Sequence, residues 1–177
     1  MRPGGFVLIV GPSGAGKDTL IRLARDALAA EPRYVFPRRL VTRPPSAHED
    51  NREIGEADFA AGEAQGRFAL AWRAHGLGYA LPAACLSLAE TGHVVTANIS
   101  RRAVAEARAR LPRVSVVSVT APPEVLARRL AARGRPEDGD LAARLARRAP
   151  DAADLTILND GPPEAGAAAL VAHLRAR

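Results

Sequence analysis

The apolar positions along the chain follow two rhythms. Residues 6–10 form an unbroken apolar run, and 93–99, 114–119 and 155–158 come close to one. Short runs of this kind, rich in β-branched residues, predict strands buried on both faces, as in a parallel sheet covered on each side by helices. Between them the period lengthens to that of a helix. Over 18–30, Leu20, Ile21, Leu23, Ala24, Ala27 and Leu28 share one side while Arg22, Arg25 and Asp26 turn away, and Pro32 is expected to stop the helix. Further helices are predicted over 82–90, opened by Pro82, and over 101–110, 124–133, 141–148 and 165–174. Strand and helix therefore alternate, which predicts a doubly wound α/β domain with a parallel sheet and helices on both faces.

The stretch between the first helix and the second buried run reads differently. A short strand is expected over 34–36, and a basic segment follows, with Arg38, Arg39 and Arg43 closed by Pro44-Pro45. Residues 46–55 are polar and without period, so they read as a loop. A short helix over 56–65 carries Phe59 and ends at Gly66, and 67–73 alternates as a strand through Phe68, Leu70 and Trp72. Gly76-Leu77-Gly78-Tyr79 is expected to turn the chain.

Composition narrows the class. At 177 residues the chain is long enough for one domain with a real core, and 47% apolar with 25% charged residues is ordinary for a globular chain. Cys85 is the only cysteine, which excludes an internal disulfide framework and reads as a small buried residue in a reducing compartment. The apolar run near the N-terminus is too short for a secretion signal or a membrane span, so a cytoplasmic location is expected. The formal charge of +6 points to an anionic partner. Most of the arginines read as solvated helix-face residues, and no basic stretch is interleaved with aromatics as in single-strand binders. The excess fits small polyphosphates as well as nucleic acid, although binding to nucleic acid is not expected. The sequence carries no mark of an oligomeric state.

The chemistry starts at Gly11-Pro12-Ser13-Gly14-Ala15-Gly16-Lys17-Asp18-Thr19, between the first strand and the first helix. Gly11, four residues and Gly16-Lys17 give the spacing of a P-loop, whose backbone amides and helix N-terminus cradle phosphates while the lysine reaches the β- and γ-phosphates. Lys17 is the one lysine among 25 Lys and Arg, and it occupies the slot where a compact ammonium is wanted. The last slot departs from pattern. Asp18 stands where a Ser or Thr hydroxyl usually meets Mg²⁺, although a carboxylate also suits a hard cation.

Other candidates surround this loop. Arg38, Arg39 and Arg43 read either as a solvated charge cluster or as a cradle for an acceptor phosphate. Tyr79 reads either as a donor to a phosphate or as a half-buried core phenol. Three adjacent polar residues, His48-Glu49-Asp50, lack the scaffold that makes a metal site. Asn98 and Ser100 end the second buried run, where α/β sheets bind ligands. Arginines at 128, 129, 133, 144, 147 and 148 flank the polar loop 134–139 and suggest a lid, with solvated helix arginines as the alternative. A donor site, an acceptor site and a lid form the plan of a small phosphotransferase. With no evident catalytic Asp or His, a phosphate acceptor is favoured over a hydroxyl, because a phosphate dianion needs no general base.

Gly11-Pro12-Ser13-Gly14, Gly16-Lys17, Val41-Thr42-Arg43-Pro44, Gly78-Tyr79, Arg128-Arg129-Leu130, Arg133-Gly134-Arg135 and Leu158-Asn159-Asp160 resemble, in order and spacing, the guanylate kinase superfamily. Lys17-Asp18-Thr19 and Phe36-Pro37-Arg38-Arg39 with Glu49-Asp50 resemble a narrower branch, the ribose 1,5-bisphosphate phosphokinases. The resemblance implies a single P-loop kinase domain over 1–177, an acceptor-binding subdomain over about 38–81 and a lid over about 129–144. It implies ATP and Mg²⁺ as cofactors and 5-phosphoribosyl 1-diphosphate as product, within phosphonate breakdown. It places Lys17, Arg133 and Arg144 in catalysis, and residues 11–19, Arg129, Arg135 and Asn159 on the donor nucleotide. Arg39, Arg43 and Tyr79 would grip the acceptor, and Asp18 would lie by the metal. Ser46, Asn98 and Ser100 stand where guanylate kinases carry an Arg and two Asp, so a GMP acceptor would be poorly held. A nucleoside monophosphate kinase and a non-catalytic nucleotide-binding module are the alternatives; retention of Lys17 speaks against the second.

Overall fold

The computed structural model describes residues 3–45, 49–134 and 153–177. The chain opens with β1 (Gly5–Val10), α1 (Lys17–Ala27) and the short strand β2 (Tyr34–Val35). A second group follows: β3 (Arg39–Val41), β4 (Asn51–Glu53), α2 (Glu56–Ala64), β5 (Phe68–Ala74) and β6 (Leu77–Pro82). The chain then returns through α3 (Ala84–Glu90), β7 (Val94–Asn98), a 3₁₀ turn at Arg101–Ala103, α4 (Val104–Arg110), β8 (Val114–Thr120) and α5 (Pro123–Arg133). It closes with β9 (Leu155–Leu158) and α6 (Pro163–Arg175).

These strands make two sheets. The larger has the order β2-β7-β1-β8-β9, parallel throughout, and the smaller the order β4-β3-β6-β5. All six residues of β1 are buried, as an unbroken apolar run at the centre of a covered sheet requires. Two apolar clusters line the faces of this sheet. One packs Phe6, Leu8 and Val10 against Cys85, Ala89 and Val104; the other packs Val7 and Ile9 against Leu20, Ala24 and Leu170. Burial raises the Cys85 thiol to about 11, so it behaves as an inert core residue. No described helix is long and apolar enough to cross a membrane.

The small sheet pairs β3 with β6 and β5 with β6 antiparallel, while β3 and β4 run parallel. Its own buried cluster is Leu40, Phe59 and Ala80. The Phe59 ring stacks on Phe68 at 5.5 Å between centroids, and a Cβ on Gly78 would lie 2.7 Å from that ring.

Several boundaries differ from the sequence expectation. Helix α1 ends at Ala27, ahead of Pro32, because Leu28–Ala30 tighten into turns with the Glu31 N–H bonded to the Leu28 carbonyl at 2.9 Å. The expected turn over 76–79 lies earlier, at His75-Gly76, whose φ values of 53° and 74° suit a two-residue hairpin loop. Leu77 to Pro82 are strand, so Pro82 ends β6, and α3 starts at Ala84. The polar segment expected as loop contains β4, which pairs with the basic segment now seen as β3. The helix expected over 141–148 lies outside the described residues.

Candidate active site

The loop after β1 is shaped from in front by glycine and from behind by side chains. At Gly11 a Cβ would meet the Val119 carbonyl oxygen at 2.0 Å, so β8 leaves room only for hydrogen. Gly16 caps α1 in the left-handed region at φ 91°. Arg129 of α5 donates from Nη1 to the carbonyls of Gly14 and Ala15 at 3.1 and 3.4 Å, and from Nη2 to that of Asn159 at 2.8 Å. Asn159 Nδ2 donates to the Ala15 carbonyl at 2.8 Å. A trans peptide sets its N–H opposite its carbonyl, so drawing the Ala15 carbonyl backward directs the Gly16 N–H to the other side. Arg129 and Asn159, read from the sequence as donor-nucleotide residues, thus contact the loop itself.

Lys17 Nζ donates to the carbonyls of Gly11 and Pro12 at 2.8 and 3.0 Å, which holds the ammonium across the loop. Enclosure lowers its pKa to about 8; Asp18 opposes the shift, while Arg39, Arg101 and Arg133 add to it. The three arginines that act on Lys17 come from three separate elements and converge on one place.

That place is a cavity of about 460 Å³ over the loop. Lys17 and Asp18 form its floor, and the small sheet contributes Arg39, Arg43, Trp72 and Tyr79 to its wall. Asn98 enters from the end of β7, Ser100 and Arg101 from beyond it, and Arg133 from the end of α5. A second cavity of about 650 Å³ adjoins it, sharing Asp18, Arg39, Glu49, Asn98 and Arg133.

Arg39 and Arg43 are held by polar partners. Arg39 donates from Nε to Asn51 Oδ1 and from Nη1 to the Asn98 carbonyl, each at 3.2 Å. Its guanidinium lies 5.5 Å from the centre of the Tyr79 ring, which stacks on Trp72 at 5.7 Å and 7°. Arg43 pairs with the Glu49 carboxylate, and Asn51 Nδ2 donates to the same carboxylate at 3.0 Å. The basic stretch is therefore organised, with Arg39 and Arg43 in the cavity wall, while Arg38 turns to Asp50 at 2.8 Å.

Asp18 Oδ1 accepts from Asn98 Nδ2 at 3.0 Å. This carboxylate beside the loop fits Mg²⁺, which binds one or two carboxylates and takes its other oxygens from phosphate and water. Among the described residues no three His, Cys, Asp or Glu side chains gather to hold a metal by themselves. Of the expected lid arginines, Arg133 is in the cavity, and Arg135 and Arg144 lie outside the described residues. Sequence reading passed over Arg101 and Asn51. The rule that ligands lie beyond strand carboxyl ends points to Arg101, whereas nothing in the polar run Asn51-Arg52-Glu53 singles out Asn51.

No protein-family model matches the chain. Ribose 1,5-bisphosphate phosphokinase PhnN of Methylobacterium radiotolerans is 71% identical over 174 residues, 98% of this chain and 99% of that one. Proteins of the same name from Rhodopseudomonas palustris and Bradyrhizobium diazoefficiens are 49% and 48% identical, each over 98% of this chain and 89% of its own. A solved guanylate kinase from Anaplasma phagocytophilum superposes with a TM-score of 0.72 at 19% identity, over 99% of this chain and 87% of that one. That likeness shows the fold, an α/β P-loop fold of the guanylate kinase kind. The identity with its relatives, carried through nearly the whole length of both partners, shows that the chain belongs to the ribose 1,5-bisphosphate phosphokinase family.

Proposed function

We propose that the chain transfers the γ-phosphoryl group of ATP to the 1-phosphate of ribose 1,5-bisphosphate, giving 5-phosphoribosyl 1-diphosphate and ADP, in the cytoplasm and within phosphonate breakdown. The observation that carries this reading is one cavity joining the phosphate loop to Arg39, Arg43 and Tyr79. Kinship with the named phosphokinases supports the choice of acceptor.

An oxygen of the acceptor's 1-phosphate attacks the γ-phosphorus, and the bond from that phosphorus to the β–γ bridging oxygen breaks. The phosphate dianion is its own nucleophile, so alignment and charge neutralisation are the protein's tasks. The loop amides and Lys17 hold the donor's β- and γ-phosphates. Arg39 and Arg43 fix the acceptor with forked hydrogen bonds, and Arg133 adds positive charge where the transferring group passes. Mg²⁺, when bound, neutralises the β- and γ-oxygens; Asp18 would hold it together with the phosphates and water. Residues 38–81 would then serve as the acceptor-binding subdomain.

The test incubates the purified protein with ATP, Mg²⁺ and, in parallel, ribose 1,5-bisphosphate, GMP or AMP, and follows products by ³¹P NMR. A new diphosphate signal with the sugar bisphosphate is expected. Faster turnover of GMP would make the chain a nucleoside monophosphate kinase, and turnover of no acceptor would return the non-catalytic module.

A further inference from the structure

Asn51 is 4% exposed in a strand whose other residues, Arg52 and Glu53, are exposed. Both ends of its amide are used. Oδ1 accepts from Arg39 Nε at 3.2 Å and Nδ2 donates to Glu49 Oε2 at 3.0 Å. Glu49 in turn holds Arg43. The parallel register places Arg39 opposite Asn51, and the Asn51 carbonyl accepts from Arg38 at 3.0 Å.

We propose that Asn51 is a positioning residue for the acceptor: its amide links Arg39 to the Glu49–Arg43 pair and sets where the two guanidinium groups stand relative to each other. The inference rests on the reading that Arg39 and Arg43 face the acceptor.

The link needs a short planar group that accepts on one side and donates on the other, and an amide is that group. An Asp would still accept from Arg39 but would set its carboxylate against that of Glu49. A Leu of similar size would give neither bond and would leave Arg39 Nε without this partner. A guanidinium is a flat fork, so its usefulness to a phosphate depends on its plane as well as its position. Arg39 takes that plane from three contacts: Asn51, the Asn98 carbonyl and the Tyr79 ring. Asn51 also reaches the pair at Arg43, through Glu49. A bisphosphate acceptor makes the spacing of two cationic groups matter, since small misplacements of a reacting group are costly.

The test uses the full chain with Asn51→Asp, Asn51→Leu and the double variant Glu49→Gln/Asn51→Asp, in which the donor and acceptor of the link exchange places. KM is measured separately for ribose 1,5-bisphosphate and ATP, and the arginine Nε–Hε NMR signals are recorded without substrate. Each single variant is expected to raise acceptor KM by ~10- to 100-fold, the scale of one hydrogen bond to a charged group. KM for ATP should move less than ~2-fold, a change below what a lost hydrogen bond produces. The double variant should bind the acceptor better than Asn51→Asp, and Asn51→Leu should shift the Arg39 Nε–Hε signal. The proposal is overturned by an acceptor KM that stays put in both single variants, by equal rises in both KM values, or by a double variant no better than Asn51→Asp. Should Asn51→Leu fail to fold, the near-isosteric Asp variant and its rescue decide. Should the wild type leave the sugar bisphosphate unconverted, the reaction assignment falls, and the NMR comparison decides alone: a shifted Arg39 signal upholds the link and an unshifted one removes it.

Discussion

The two halves of the cleft, proposed for donor and acceptor, are made from different material. The loop proposed for the donor follows the central strand of a five-stranded parallel sheet and presents backbone amides to the cleft, with side chains bracing it from behind. Glycine lets it pass close to β8, and Arg129 and Asn159 pull its carbonyls back. The acceptor wall stands on a four-stranded sheet with a small apolar cluster, and side chains define it: Arg39 on Asn51 and the Asn98 carbonyl, Arg43 on Glu49. Triphosphate tails are alike in every nucleotide, so backbone amides suffice to hold one. The identity of an acceptor has to be written in side chains, and here they stand on a sheet whose β5 and β6 also supply Leu70, Trp72 and Leu81 to the main core.

Removing Lys17 should separate the halves most sharply. Lys17→Ala is expected to lower kcat by about 10³-fold, the scale of losing a charged donor aimed at a transferring phosphoryl group. Acceptor binding, measured calorimetrically with the sugar bisphosphate alone, should stay close to wild type. A parallel collapse of acceptor affinity would show that the halves are one unit.

Next in size is Phe59→Ala, which empties the middle of the small sheet and should cost about 3 kcal/mol of stability. Hydrogen exchange is expected to quicken in β5 and β6 while β1 and β8 stay protected, and ATP affinity should change little. Uniform acceleration across both sheets would contradict the separation.

Proton dependence supplies a smaller contrast. Lys17 titrates at about 8 in the folded chain against 10.5 for an ordinary lysine. It is charged below that value, where on the proposed reading it binds phosphate, and neutral above it. ATP affinity should therefore fall ~3-fold between pH 7.5 and 8.5, from the titration of one group. The stability sign is opposite: between about 8 and 10.5 the unfolded chain holds a proton that the folded one lacks, so this group's contribution to stability rises with pH. Acceptor affinity, which on the proposed reading does not involve Lys17, should be level across the same range.

The smallest effect is expected at the ion pair joining α1 to the segment before β4. Arg25 meets Asp50 at 3.1 Å with both side chains well exposed. Arg25→Ala should change stability by less than about 0.5 kcal/mol. A twofold or larger change in kcat would reveal coupling between the halves through α1.

This contrast also governs what the sequence disclosed. The core strands were legible because burial on both faces leaves unbroken apolar runs such as Phe6–Val10, and the loop was legible because close backbone approach demands glycine at fixed spacing. The small sheet was harder. β3 and β4 have three residues each, and Asn51-Arg52-Glu53 shows no apolar alternation. Gly76 and Gly78 drew the expected turn forward, whereas the turn uses His75 at φ 53° and Gly78 serves as the flat spot under Phe59. Arg39, Arg43 and Tyr79 could be named from their chemistry. The partners that fix Arg39 are distant or unmarked in sequence: the Asn98 carbonyl is 59 residues away, and Asn51 sits in a polar run.

The lone lysine has one further consequence. Its amine is the sole ε-amine in the chain and loses its proton near pH 8. A neutral amine is a nucleophile, so an acylating reagent finds a single lysine amine, already stationed at the phosphate loop. Phosphates seated there would shield it and hold its proton. An acyl group at Lys17, located by peptide mass mapping apart from any on the chain's terminal amine, thus becomes a meter of occupancy at the loop that needs no acceptor and no turnover.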